Sequence, residues 1–205
     1  VLYFSSGTTQ KSKLIKYSHL AMVNNQKMMV RSNFLDNFST HMCILPLGHT
    51  ASLRYTIKNA LITGGKVYIY KNFWEVKDSF WKEIEKHSIN FVGLVPTILQ
   101  TILVNSKAIK KKLKHLKFIG CGSSILSKTM QDSFEKKFKI KVSNLYGMSE
   151  VGLCTFDNPN KKTRKTGTIG DPLKGVKIKL FKNKKIINDN NRVGEIGIKT
   201  PAIFS

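Results

Sequence analysis

The stretch KVSNLYGMSEVG, Lys141 to Gly152, decides how the rest of the chain is read. KVSNLYG (141 to 147) is a short strand-like run closed by a glycine. Tyr146, Gly147, Met148, Ser149 and Glu150 then set an aromatic ring, a hydroxyl and a carboxylate at its carboxyl end. In an open α/β sheet that end is where ligands gather. A glutamate beside a serine hydroxyl suits Mg²⁺ bridging phosphate oxygens, and a tyrosine ring can stack on or cover a ligand. Taken singly, the same residues also fit a glutamate opening a helix beside a core tyrosine.

Outward from this strand, further strand-like runs occur at VLYF (1 to 4), HMCILPL (41 to 47), KVYIY (66 to 70), INFVGLV (89 to 95) and LKFIGC (116 to 121). Amphipathic segments separate them. Ser18 to about Arg31 and Ser127 to Phe138 each open on a serine suited to an N-cap, and Trp74 to His87 carries apolar residues at helical spacing. Alternation of strand and helix predicts a layered α/β fold with a mostly parallel sheet and flanking helices, over residues 1–157. From 158 to 205 the texture changes to glycine turns and alternating strands, which predicts a small antiparallel β unit. There Val176, Ile178 and Leu180 alternate with lysines, so one face should be buried and the other wet, and NDNN (188 to 191) reads as a turn.

The first strand runs into Ser5-Ser6-Gly7-Thr8-Thr9, with Lys11 and Lys13 close behind. Small hydroxylic residues expose backbone N–H groups, their hydroxyls donate to phosphate oxygens, and a nearby lysine supplies countercharge. The stretch is neither the GxxxxGK[ST] loop nor GxGxxG, and by itself a hydroxyl-rich β-turn accounts for it equally well.

Composition narrows the function classes. With 41% hydrophobic residues in 205, the chain can build a real core. It holds no run of 18 uncharged apolar residues and no secretory pattern, so a membrane span and export are not expected and the cytoplasm is the expected location. Cys43, Cys121 and Cys154 have neither disulfide-framework nor zinc-site spacing and are expected to be buried thiols. The net charge of +23 suggests a polyanion partner, but among 35 basic residues only Arg31, Arg54, Arg164 and Arg192 are arginine. A lysine bias accompanied by abundant Asn and Ile is a compositional habit of AT-rich coding, and nucleic acid is not the expected partner. Lys110 to Lys114 and Lys161 to Lys165 are expected on exposed helix ends and loops.

Tyr3 to Thr9 with Lys13 resembles the [YF]-[ST]-S-G-[ST]-T-G-x-P-K-G signature of the AMP-binding adenylate-forming superfamily, and Tyr146 to Glu150 matches its Y-G-x-[ST]-E in full. The superfamily includes acyl- and aryl-CoA synthetases, luciferases and peptide-synthetase adenylation domains. Collinear with these, His19, PLGH (46 to 49), FVGLVPTIL, CGSSIL (121 to 126), GTIGDPLKGVKIKL and GEIGIK resemble further family segments, so the likeness covers nearly the whole chain. Gln10, Ser12 and Leu14 depart from the signature where it has glycine, proline and glycine.

The resemblance implies a fragment of a larger multi-subdomain enzyme, the central part of its large N-terminal domain. The family's N-terminal subdomain, ribose-binding aspartate, hinge and C-terminal lysine are expected outside these 205 residues. It implies ATP and Mg²⁺ as cofactors, a small carboxylic acid as substrate, and CoA or a carrier-protein thiol as acceptor. Ser5, Ser6, Gly7, Thr8, Thr9 and Lys13 would cradle the β and γ phosphates. Gly122, Ser123, Ser124, Tyr146, Gly147 and Met148 would contact the nucleotide, Ser149 the α-phosphate, Glu150 the Mg²⁺, and His49 the carboxylate substrate. Leu47 to Ser52 carries no aspartate to grip an amino group, which tilts the reading to a fatty or aromatic acid over an amino acid. An amino-acid adenylation domain and a non-catalytic homologue remain the alternatives.

Overall fold

The structure, a computed structural model, describes residues 1–5, 13–32, 34–109, 112–187 and 193–203, with the backbone alone for Phe4, Ser5 and Lys13. In chain order, β1 (Leu2–Ser5) and β2 (Lys13–Lys16) precede α1 (His19–Arg31) and β3 (Thr40–Cys43). A continuous helical segment follows, made of α2 (Thr50–Ser52), a π-helical turn (Leu53–Ile57) and α3 (Lys58–Thr63). Then come β4 (Lys66–Ile69), α4 (Phe73–Val76), α5 (Phe80–Lys86), β5 (Phe91–Leu94), α6 (Pro96–Asn105), β6 (Phe118–Gly122) and α7 (Lys128–Phe138). The chain continues through β7 (Val142–Met148), β8 (Gly152–Phe156), β9 (Asp171–Pro172), β10 (Lys177–Lys182), β11 (Lys185–Ile187) and β12 (Glu195–Lys199).

Seven strands form the main sheet in the order β4-β3-β5-β6-β7-β8-β9. The first five are parallel, and β8 and β9 add antiparallel pairs, so the layered, mostly parallel expectation holds. Parallel strands covered on both sides must be apolar on both faces, and β5 meets this residue by residue. Val92 and Leu94 join a core with α4 to α7 through Phe73, Phe80, Ile84, Leu99, Phe134 and Phe138. Phe91 points the other way, into a core with Met29, Phe34, Tyr55, Leu145 and Phe156. Phe34, Phe91 and Phe118 meet edge to face at centroid distances of 5.2 to 5.5 Å, the arrangement favoured by aromatic quadrupoles.

The caps fall where the serines predict them. Ser18 Oγ accepts from the Ala21 N–H at 3.0 Å and Ser127 Oγ from Met130 N–H at 3.2 Å. Pro96 opens α6, where its missing N–H costs nothing. Three details differ from expectation. Trp74 to His87 is two helices, α4 and α5, interrupted at Lys77 to Ser79. The first strand does not enter the main sheet but pairs antiparallel with β2, whose flanking lysines hide its strand character in the sequence. Residues 50–63 form a helical segment that the apolar spacing does not announce, because Arg54, Thr56 and Asn59 on it are buried polar residues.

The small antiparallel sheet has the order β11-β10-β12. Ile178 faces Ile198 across it and both pack on the second core, while Lys177 and Lys179 stay exposed. The NDNN turn, Asn188 to Asn191, lies outside the described residues. All three cysteines are buried free thiols. Among the described residues no helix is long and apolar enough to cross a membrane.

His41, within β3, is fully buried beside Phe91, and its ring nitrogens make no hydrogen bond of good geometry, although the Tyr55 backbone lies near enough to act on the ring. Burial lowers its pKa to about 4. Below about pH 6.5 the unfolded chain takes up a proton that the folded one refuses, so this residue withdraws stability as pH falls through the window from 6.5 to 4. Between pH 7 and pH 5 the loss amounts to about 2 kcal/mol. Urea titrations at the two values should show the difference shrinking by that amount in His41→Leu, and an unchanged difference would refute the assignment.

Candidate functional site

Of the residues singled out between β6 and β8, four converge on one cleft, and Gly122, Met148, Ser149 and Glu150 are not among its lining. Ser123, Ser124, Tyr146 and Gly147 line a pocket of about 390 Å³, with Ile125, Leu126, Asn144, Leu145, Gly167 and Ile169 completing its wall. It opens where β6 and β7 end, at the carboxyl edge of the parallel strands.

Local backbone chemistry shapes this cleft. Ser123 has φ 66°, a left-handed conformation that a non-glycine residue rarely adopts and that costs of order 1 kcal/mol or more. Its exposed side chain is thereby turned at the strand end. Gly122 is required by close approach, since a Cβ there would sit 2.4 Å from the Leu145 carbonyl oxygen on β7. Gly122→Ala must push β6 and β7 apart and is expected to lower stability by roughly 1–3 kcal/mol. A denaturation midpoint equal to that of the parent protein would sink this account.

Tyr146 to Glu150 occupies a bulged hairpin, not a helix start. The register of β7 against β8 shifts between Tyr146 and Gly147, and a Cβ on Gly147 would lie 2.2 Å from the Gly152 carbonyl. Such a bulge bends a strand and re-aims its side chains. Met148 pairs with Gly152, and the Val151 N–H closes the turn on the Met148 carbonyl at 3.3 Å, which leaves Ser149 and Glu150 half-exposed at its tip. Asn25 of α1 clamps the far side, donating to the Leu153 carbonyl at 3.0 Å and accepting from its N–H at 3.2 Å.

His49 lies on a different element. Its Nδ1 accepts from the Ala51 N–H at 3.2 Å, capping α2, and its backbone N–H donates to the Pro46 carbonyl at 3.0 Å. Burial and then the nearby Arg54 lower its pKa, so the ring is neutral at pH 7 with its proton on Nε2.

Ser5 and Lys13 face each other across the β1–β2 hairpin. Ser6, Gly7, Thr8 and Thr9, together with Gln10 and Ser12, lie outside the described residues. The hairpin is anchored by Tyr3, which meets Tyr17 edge to face at 5.8 Å and whose hydroxyl accepts from Lys58 Nζ at 2.7 Å.

One residue next to this region escaped the sequence reading. Arg54, on the π-helical turn, is 7% exposed and donates from Nη1 to the Met148 carbonyl at 3.3 Å, so it ties the His49 segment to the Glu150 hairpin. The available signal was its being one of four arginines in a lysine-biased chain. Among the described residues no group of three His, Cys, Asp or Glu side chains could hold a metal. A single carboxylate such as Glu150, which has no ion pair among the described residues, still fits Mg²⁺, because that ion keeps its waters and takes most other ligands from phosphates.

A five-stranded parallel core with helices on both faces, and a cleft beyond the strands' carboxyl ends, define an α/β domain of the ligand-cleft type. Comparison with known proteins sharpens the class: the family model for AMP-binding enzyme matches residues 1–205, and the chain belongs to that family. Curated relatives include oxalate–CoA ligase of Saccharomyces cerevisiae, 27% identical over 200 residues, and malonate–CoA ligase of Arabidopsis thaliana, 26% identical over 220 residues. These matches cover 97% and 100% of the chain, and the chain spans 36% of the length of each relative. The fold superposes on ATP-bound MatB from Rhodopseudomonas palustris with a TM-score of 0.87 at 24% identity, over 99% of this chain and 40% of that one. It also superposes on o-succinylbenzoate coenzyme A synthetase (MenE) from Bacillus subtilis in complex with ATP and magnesium ion, with a TM-score of 0.85 at 22% identity, over 99% and 41%.

Proposed function

We propose that the full-length protein activates a carboxylic acid with ATP and passes the acyl group to CoA. The observation that carries this reading is the convergence of Ser123, Ser124, Tyr146 and Gly147 on one cleft beside the Ser149–Glu150 turn. The CoA-ligase names of the relatives support the same chemistry.

An oxygen of the acid attacks the α-phosphorus of ATP, the bond to pyrophosphate breaks, and an acyl-adenylate forms. The CoA thiol then attacks the acyl carbon, AMP leaves, and the thiol proton passes to solvent or the departing phosphate. Carboxylate and triphosphate are both anions, so the work of the site is to hold them together and to stabilise the charge that develops at phosphorus. Tyr146 packs on the adenine, with Gly122, Ser123, Ser124, Gly147 and Met148 around it. Ser149 donates to the α-phosphate. Glu150 holds Mg²⁺, which neutralises phosphate charge when bound. Ser5, Ser6, Gly7, Thr8, Thr9 and Lys13 receive the β and γ phosphates. His49 borders the acid and offers it a neutral Nε2–H donor.

Pyrophosphate exchange into ATP by the full-length protein, scanned across fatty, aryl, amino and dicarboxylic acids, tests the proposal. Exchange that needs one class of acid is the expected result. No exchange with any acid, alongside salt-sensitive binding to nucleic acid, would favour a non-catalytic basic protein instead.

A further inference from the structure

Two arginines are placed in the interior of the described residues, and the fold treats them differently. Arg164 has an 8% exposed side chain and meets two carboxylates, Glu135 at 2.8 Å and Asp157 at 2.7 Å. Arg54 is buried, 7% exposed over the whole residue, but has no ion pair among the described residues. Its guanidinium donates to the Met148 carbonyl, lies 5.8 Å from the centre of the Tyr17 ring, and has the Tyr55 hydroxyl beside it. The Met148 carbonyl, the Tyr55 hydroxyl and the Tyr17 ring are all neutral partners, so no carboxylate matches the buried positive charge as Glu135 and Asp157 match Arg164, a costly arrangement unless an anion completes it.

A second group points the same way. Tyr17 is 3% exposed and its hydroxyl has no partner. Burial pushes its pKa up to about 12, so the phenol keeps its proton and remains a donor, with Arg54 and Glu150 both near enough to act on it. A buried cation and an orphaned buried donor on adjoining elements make a receptor for negative charge.

We infer that Arg54 and Tyr17 receive a second negative charge on the acid, so that the acid activated is dianionic, a dicarboxylate or its equivalent. This rests on the carboxylate-activating function proposed above. The reacting carboxylate is a poor occupant, because it loses charge as it attacks phosphorus, and a cation fixed on it would stabilise the ground state more than the transition state. A spectator carboxylate keeps its charge throughout. The phosphates are the competing anions, but Lys13 and the Mg²⁺ ligand Glu150 are assigned to them, whereas Arg54 lies on the helical segment that His49, assigned to the acid, caps.

The test uses the full-length protein with malonate and succinate against acetate and butyrate, in the parent and in Arg54→Met and Arg54→Lys. KM for the dicarboxylates should be at least about tenfold below that of the monocarboxylates, the worth of one charge-assisted hydrogen-bond pair. Arg54→Met should erase that difference, and the loss should fall on KM and not kcat, as uniform binding requires. Arg54→Lys should restore part of it. A merely structural arginine predicts a lower melting temperature in Arg54→Met without ligand, whereas removal of an uncompensated charge predicts an equal or higher one. Equal KM values for both acid classes, an equal loss on both, or a rise confined to the KM for ATP would overturn the inference and leave the ligase function standing. If no acid supports exchange, the ligase function falls and thermal shift decides: stabilisation by succinate of the parent but not of Arg54→Met retains the receptor, and no shift in either overturns it.

Discussion

Glu150→Gln is expected to lower Mg²⁺-dependent pyrophosphate exchange by the full-length protein by about 10²- to 10³-fold, the usual cost of removing one preorganised electrostatic partner from a reacting centre. The substitution is isosteric, and Glu150 sits at the tip of the β7–β8 turn with no ion pair among the described residues, so no interaction of the fold is lost with its charge. Thermal stability should therefore stay within about 0.5 kcal/mol of the parent, as for surface changes generally. The loss belongs in kcat and in the Mg²⁺ dependence, because the carboxylate acts on phosphate charge and not on the acid. Exchange retained at saturating Mg²⁺ would remove Glu150 from the proposed site and leave its half-exposed carboxylate as an ordinary turn residue.

What could be read from the sequence and what could not follow a physical line. INFVGLV was legible as a strand because β5 is buried on both faces, which makes its sequence a continuous apolar run. The serine caps at 18 and 127 were legible because a cap is a local hydrogen bond, independent of tertiary context. Residues 50–63 were not, because burial there falls on Arg54, Thr56 and Asn59, and apolar spacing carries no signal for a buried polar face. The bulge at Tyr146 and Gly147 was hidden for a different reason: it depends on the partner strand β8, and the glycine that permits it looks the same as one in any turn. Arg54 was counted only as part of a net charge. Its meaning depends on whether a carboxylate lies next to it, which composition cannot report.

Arg164→Met, in contrast to Arg54→Met, is expected to destabilise the protein strongly, by about 3–5 kcal/mol. Arg164 grips Glu135 through two nitrogens, at 2.8 and 3.2 Å, donates from Nε to Asp157 at 2.8 Å and from Nη2 to the Val142 carbonyl at 2.6 Å. Asp157 also accepts from the Gln131 Nε2–H, and the Gln131 amide oxygen accepts from the Gly167 N–H, so α7, β7, the end of β8 and the 164–167 loop are joined around one guanidinium. Burial alone would raise the Glu135 carboxyl, but the Arg164 fork and the Val142 N–H hold it below its ordinary value. Deleting the arginine leaves the buried Asp157 without a countercharge and Glu135 with only the exposed Lys141 at 3.2 Å, and an uncompensated buried carboxylate makes a broken pair far more costly than a pair never built. For a domain of this size the change corresponds to roughly 6–20 °C in melting temperature. Arg164→Lys should recover only part of it, since an ammonium cannot reproduce the planar two-nitrogen contact. A replacement of all three charged residues by apolar ones of similar volume should be less damaging than Arg164→Met alone, and the reverse order would show that the network contributes net attraction beyond countercharge. Because β7 and β8 carry Tyr146 to Glu150 on their connecting turn, Arg164→Met should also blur the cleft while the protein is still folded, and hydrogen exchange at Leu145 to Val151 is the place to see it.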